Sequence, residues 1–171
     1  MSHLVFLVPG FFGFSELGSL NYFNRVKDVL QGELDRRGVE AQVIEVATMP
    51  TGSIRRRAER LLQTLVREGA AAAEEVTLVG HSTGGLDARL VATPGVHLEP
   101  REDETAVCAR LRRVITVCAP HWGTPIARFF AEFQGRNLLL ALAIASTSSP
   151  GRYTLSGVVR LLAILTRLDD L

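Results

Sequence analysis

The apolar residues of this chain arrive in two rhythms. From Leu4 to Val8 they are continuous and stop at Pro9-Gly10, the pattern of a strand buried on both faces of a parallel sheet. A glycine-containing loop, GFFGFSELGS, follows. From Leu20 to Arg37 they recur at helical spacing, at Phe23, Val26, Leu30 and Leu34, and Gly38 stands where a C-terminal cap belongs. Val39 to Val46 alternates and is rich in valine and isoleucine, which predicts a second strand ended by Met49-Pro50-Thr51-Gly52. Between Ser53 and Glu68, the residues Ile54, Ala58, Leu61, Leu62 and Leu65 form one stripe of a second helix, leaving Arg55-Arg56-Arg57 on the solvent side.

The third strand is expected at Val76 to Val79, the third helix from Gly84 to about Ala92, and the fourth strand at Arg113 to Cys118. The charged connection between them runs over the surface, with a short helix from Glu102 to Arg110. Strands alternating with helices predict an α/β fold, a mostly parallel sheet with right-handed crossovers and helices on both faces. The last third differs. Phe129 to Ile144 and Leu155 to Leu168 are strongly apolar helix candidates separated by a Ser/Thr/Pro/Gly stretch, and the run Leu138 to Ala145 is far short of the roughly 20 residues that cross a bilayer. Residues 1–125 are read as the α/β core and 126–171 as apolar lid or cap helices, too apolar for free exposure to solvent.

Composition narrows the function classes. The 171 residues suit a single domain, and 47% are apolar, enough for a substantial core. With 19 basic and 18 acidic residues the formal charge is +1, so no global field selects nucleic acid or an anionic surface. Two cysteines, Cys108 and Cys118, fit neither a disulfide framework nor a zinc site and read as reduced structural thiols; no metal or cofactor is expected. The N-terminal apolar run has no basic residue before it and is broken early by Pro9-Gly10, so it reads as a strand and not a signal peptide, with a cytoplasmic location as the default.

The chemistry concentrates in VTLVGHSTGGLDARL, residues 76–90. A serine hydroxyl is a weak nucleophile and needs exposure, a base and donors for the developing oxyanion. Gly80-His81-Ser82-Thr83-Gly84 supplies exposure: in a G-x-S-x-G turn the flanking glycines clear space around a strained serine. The same residue types also suit a plain glycine-rich turn with a serine N-cap, whereas a phosphate loop lacks its glycine order and its lysine. After the first strand, Pro9-Gly10-Phe11-Phe12-Gly13-Phe14 forms a turn that lets the Phe11 amide converge with that of Thr83, or whose phenylalanines fill core.

LVFLVPGFFGF, TLVGHSTGGLDARLVA and RRVITVCAPHWGTPIA occur in an order and spacing that resembles the bacterial lipase family of α/β-hydrolases. That family shows a His-Gly-x-x-Gly-Phe oxyanion loop, Gly-His-Ser-x-Gly-Gly and a Pro-His-x-Gly-Ser/Thr segment. The resemblance covers about residues 3–20, 74–93 and 112–128. It implies Ser82 as nucleophile and the amides of Phe11 and Thr83 as oxyanion hole; Pro9 departs from the family's usual histidine.

In that fold the triad runs serine, acid, histidine along the chain. After Ser82 only His97 and His121 remain. His97 lies in the polar connection and reads as solvated; His121 follows the fourth strand but falls in the Pro-His-Trp-Gly-Thr-Pro segment, which resembles a non-triad motif. His3 and His81 read as structural, Asp87 as a complement to a helix dipole, and Asp103 as a disfavoured acid. The chain is accordingly expected to be the N-terminal part of a longer enzyme whose remainder carries acid and base. The leading expectation is a serine-dependent carboxylic-ester hydrolase acting on an ester or lipid through an acyl-enzyme, with no nucleic-acid partner and no transmembrane segment. The alternative is a non-catalytic hydrolase-like module that binds a lipid or protein partner through its apolar C-terminal helices.

Overall fold

The computed structural model describes residues 3–10, 16–17, 20–23, 25–49, 52–99, 101–125 and 127, with backbone alone at 16–17, 20–21 and 101–103. The two apolar helix candidates of the last third lie outside the described residues, as do Phe11 and most of the loop around it.

The expected strands form one parallel sheet. β1 (His3–Val8) is central, with β4 (Ala41–Glu45) on one side and β5 (Glu75–His81) on the other, and β6 (Leu111–Val117) pairs with β5, giving the order β4-β1-β5-β6. Within the glycine-containing loop, the two-residue segments β2 (Glu16–Leu17) and β3 (Leu20–Asn21) pair antiparallel; with the residues from 123 onward they make a second unit.

Because side chains alternate across a strand, the continuous apolar run of β1 feeds both faces. Leu4, Phe6 and Val8 join Ala58, Leu61, Leu62, Leu65 and Ala88 from the helices α2 (Ile54–Arg67) and α3 (Thr83–Val91), with Val107 from α4 (Arg101–Arg110). Val5 and Leu7 join Val43, and Leu30 and Leu34 of α1 (Val26–Arg36) pack there. Helices thus cover both faces of the sheet. Among the described residues no helix is long and apolar enough to cross a membrane.

Local signals explain most boundaries. Ser53 caps α2, its hydroxyl accepting from the Arg56 amide, and Gly38 ends α1 at φ 67°. There Gly38 donates to the Asp35 carbonyl and Val39 to that of Leu34, the two bonds of a Schellman motif, whose left-handed residue favours glycine. Three expectations need correction. α1 starts at Val26 and not at Leu20, because Leu20 and Asn21 pair in β3 and the Tyr22 hydroxyl reaches partners at the sheet edge. Ile54 of the α2 stripe is 43% exposed, as the first residue of the helix it overhangs the core. The arginine run is not wholly solvated, since Arg57 is 1% exposed.

The stripe can be tested residue by residue. Leu62→Ala, in a fully buried position, should lower unfolding stability in urea by about 2–5 kcal/mol. Ile54→Ala should stay within about 0.5 kcal/mol of the parent; equal losses at both would show the stripe to be assigned to the wrong face.

Candidate active site

The chain moves from β1 to β4 on one side, then crosses to β5 on the other, so the connections leaving β1 and β5 diverge. In open parallel sheets the carboxyl ends at such a switch point frame a crevice. Val8 is level with Gly80, so Pro9-Gly10 and His81-Ser82 leave the sheet side by side.

Ser82 sits between β5 and α3 at φ 54° and ψ −128°, a conformation that costs a non-glycine residue on the order of 1–3 kcal/mol. Ordinary capping does not explain it. A capping serine has extended backbone and a bonded hydroxyl, as Ser53 has at φ −60° and ψ 153°, whereas Ser82 makes no side-chain capping bond. Its backbone is fixed instead: the Ser82 amide donates to the Val117 carbonyl of β6 at 2.9 Å, and its carbonyl accepts from Gly85 at 3.0 Å. Thr83 is the first residue of α3, where helix geometry leaves the amide without an intrahelical acceptor.

The glycines make this turn possible by close approach. A Cβ on Gly80 would come within 2.5 Å of the Gly84 carbonyl oxygen, and one on Gly84 would strike the carbonyls of Val8 and Pro9. One on Gly85 would come within 2.6 Å of Ala119 Cβ, and one on Gly10 within 2.7 Å of Ser82 Cβ.

Beneath the turn lies a pair that the sequence did not announce. Arg57 of α2 and Asp87 of α3 are 1% and 0% exposed, and the Arg57 Nη2 lies 2.7 Å from Asp87 Oδ2. The same guanidinium donates to the carbonyls of Pro9, Gly10 and Met49 at 2.9–3.2 Å. Asp87 is therefore an ion-pair partner and not a solvent-facing complement to the helix dipole. Burial pushes its carboxyl pKa up, and the hydrogen bond and charge of Arg57 pull it back. Its Oδ1 has no hydrogen-bond partner among the described residues.

The histidines are engaged elsewhere. His81 Nδ1 lies 2.7 Å from the Tyr22 hydroxyl, which also accepts from the Gly10 amide at 2.9 Å; donating its proton to Nδ1 satisfies all of these groups. His3 bonds Thr77 Oγ1, and His97, on the surface, faces Glu104 at 3.7 Å. His121 meets Thr116 Oγ1 through Nε2 and Arg89 through Nδ1. Asp103 lies in the first turn of α4. Among the described residues no hydrogen bond joins Ser82 to a histidine. Cys108 and Cys118 are free thiols.

No family model matches the chain. Over 90 residues, 52% of this chain and 27% of the other, it is 37% identical to a triacylglycerol lipase of Vibrio cholerae serotype O1 (strain ATCC 39315 / El Tor Inaba N16961). In structure it is similar to the mature form of a Bacillus licheniformis lipase, with a TM-score of 0.52 at 19% identity, covering 88% of this chain and 53% of that one. The parallel four-stranded sheet with helices on both faces matches part of a lipase α/β-hydrolase fold. The chain spans about a quarter and about half of these two proteins, respectively. The strained serine after β5 and Gly10 after β1 leave the carboxyl end of the sheet side by side.

Asp87→Ala leaves the Arg57 guanidinium buried without its carboxylate and should cost about 3–5 kcal/mol in urea unfolding. Combining it with Arg57→Met should cost less than the two single losses added together. Strict additivity would show that the pair does not interact.

Proposed function

We propose that the protein is a serine-dependent carboxylic-ester hydrolase, with Ser82 as nucleophile and the amides of Thr83 and Phe11 as the oxyanion hole. The observation that carries this reading is the Ser82 backbone, held at φ 54° between a strand and a helix with no capping role. Strain of this kind persists only where surrounding contacts enforce it, and it presents the hydroxyl at the crevice. The names and folds of the two similar lipases support the same class of chemistry.

In the proposed reaction the Ser82 Oγ attacks the ester carbonyl carbon and gives its proton to a general base. The carbonyl π electrons move onto oxygen, where the two amides stabilise them. Collapse breaks the bond to the alkoxy group, which leaves as an alcohol with that proton, and water then releases the acid from the acyl-serine by the same steps. His121 is not the base in this reading, since its ring lies against Thr116 Oγ1 and Arg89 and no hydrogen bond joins it to Ser82 among the described residues. The apolar segments of 126–171 act as a lid or cap whose helix faces cover the acyl chain.

The test is covalent labelling with a fluorophosphonate and turnover of a short-chain ester, both on the whole protein. Label should appear on Ser82, and Ser82→Ala should lower kcat by several orders of magnitude, since triad members act as a unit. Absence of labelling with an intact fold would favour instead a hydrolase-like module that binds a lipid or protein partner.

A further inference from the structure

Among the described residues β4 is an edge of the sheet, so half of its backbone groups face away from β1. The bonds flanking the pairing show which half. Glu40 accepts from the His3 amide and Val46 donates to the Leu7 carbonyl, so Gln42 and Ile44 turn their N–H and C=O groups toward β1. Ala41, Val43 and Glu45 turn theirs outward. A row of that kind is a template for another strand.

Gln31 of α1 fills the middle of the row. Its Nε2 donates to the Ala41 carbonyl at 2.8 Å, and its Oε1 accepts from the Val43 amide at 2.9 Å. One residue of a parallel neighbour would make the same two bonds, one to the residue before Gln42 and one to the residue after it. The second hydrogen on Nε2 goes to Asp35 Oδ1 at 2.9 Å, one turn along the helix. Both donors of the carboxamide are thus used, and reversing it would set N–H against N–H and C=O against C=O. Leu30 and Leu34 of the same helix pack with Val43, which seats α1 beside the edge.

We propose that Gln31 acts as a stand-in strand that closes the β4 edge against a second copy of this chain. The occupant it excludes follows from the sequence of β4. Antiparallel pairing about a two-fold axis at Val43 sets Val43 against Val43, Ala41 against Glu45 and Gln42 against Ile44 of the other copy. The outward-facing residues of the two copies then meet, and each such pair can exchange both its N–H···O bonds. No carboxylate opposes another in that register. A two-fold axis at Glu45 would set two carboxylates face to face, and like charges directly opposite are destabilising. The Val43-centred pairing needs the two groups that Gln31 holds, so the edge opens only when the carboxamide lets go. This role is independent of Ser82 and of ester chemistry.

Two substitutions remove the stand-in. Gln31→Met keeps an unbranched stem without the amide, and Gln31→Ala removes both where alanine favours the helix. Amide exchange in the whole protein, read residue by residue at low-micromolar and near-millimolar concentration, is set beside sedimentation. In the dilute variants exchange at Val43 should rise about tenfold over the parent. On concentration the mass should climb toward twice the parent value. Protection should return at Val43 and extend to Ala41 and Glu45, while Gln42 and Ile44, which face β1, stay as they were. That alternation marks pairing at this edge, because association through another surface does not follow the period of the strand.

Parental exchange at Val43 in both dilute variants overturns the proposal, since the carboxamide then closes nothing. Variants that stay monomeric when concentrated overturn it, as do variants that associate without the alternating protection or grow beyond a dimer. A concentrated parent already protected at Ala41 and Glu45 overturns it too, because the edge is then open despite Gln31. Loss of protection at Phe6 and Leu78 in both variants would show that the carboxamide serves the fold as a whole, and overturns it equally.

Discussion

The site depends on one buried guanidinium. Placing the charges of Arg57 and Asp87 beyond the reach of water carries a desolvation penalty of several kcal/mol per ion, so the pair by itself is a poor source of stability. What distinguishes Arg57 is its set of acceptors. Besides the carboxylate it satisfies carbonyls of Pro9, Gly10 and Met49, groups that follow β1 and β4 and have no place in a sheet ladder. An apolar replacement of equal volume fills the same space and leaves those carbonyls unpaired in a dry interior. A planar fork on a helix is thus the element that joins α2, α3 and two strand ends.

Close approach is the second constraint, and it follows from the sheet. Parallel pairing of β1 with β5 brings Val8 level with Gly80, so the chain that leaves β1 passes directly over the first turn of α3. The Val8 and Pro9 carbonyls then occupy the space a Cβ on Gly84 would need, and Gly10 occupies that beside Ser82. Glycine at both positions is required by contact and not by backbone conformation, since neither lies at positive φ. Register, glycine placement and the position of the serine are therefore one geometric fact seen from three sides.

Much of this was legible in the sequence, for identifiable reasons. The strands of the parallel sheet and the helices α1 and α2 leave periodic signals, and a strand running through Gly-x-Ser-x-Gly into a helix is a short local pattern with a physical cause. Arg57 and Asp87 left no such signal. They lie 30 residues apart, one inside a basic run and one a turn into a helix, and each residue type is ordinarily solvated there. Only the crossing of α2 and α3 brings them together. Tyr22 was hidden likewise, because its neighbours Phe23 and Leu20 extend a helical spacing that tertiary bonding at the sheet edge overrides. The Arg57 position did carry one clue: it falls between Ile54 and Ala58 on the edge of the apolar stripe, where a long side chain can turn inward.

The strained serine connects these observations to β6. Its amide bonds the Val117 carbonyl, so the elbow is stabilised by the last residue of the neighbouring strand and not only by its own turn. The next residue, Cys118, also lies at positive φ, 51°, so the backbone turns sharply on both strands at the same level. A β5–β6 irregularity at Val76 and Thr77 shifts the pairing once, and from Thr77 to His81 the ladder then runs in step to that end. The shift decides which carbonyl of β6 arrives opposite Ser82. An irregularity at the far end of a strand pair is in this way part of what holds the serine in its conformation, just as the Arg57 fork is part of what holds the turn facing it.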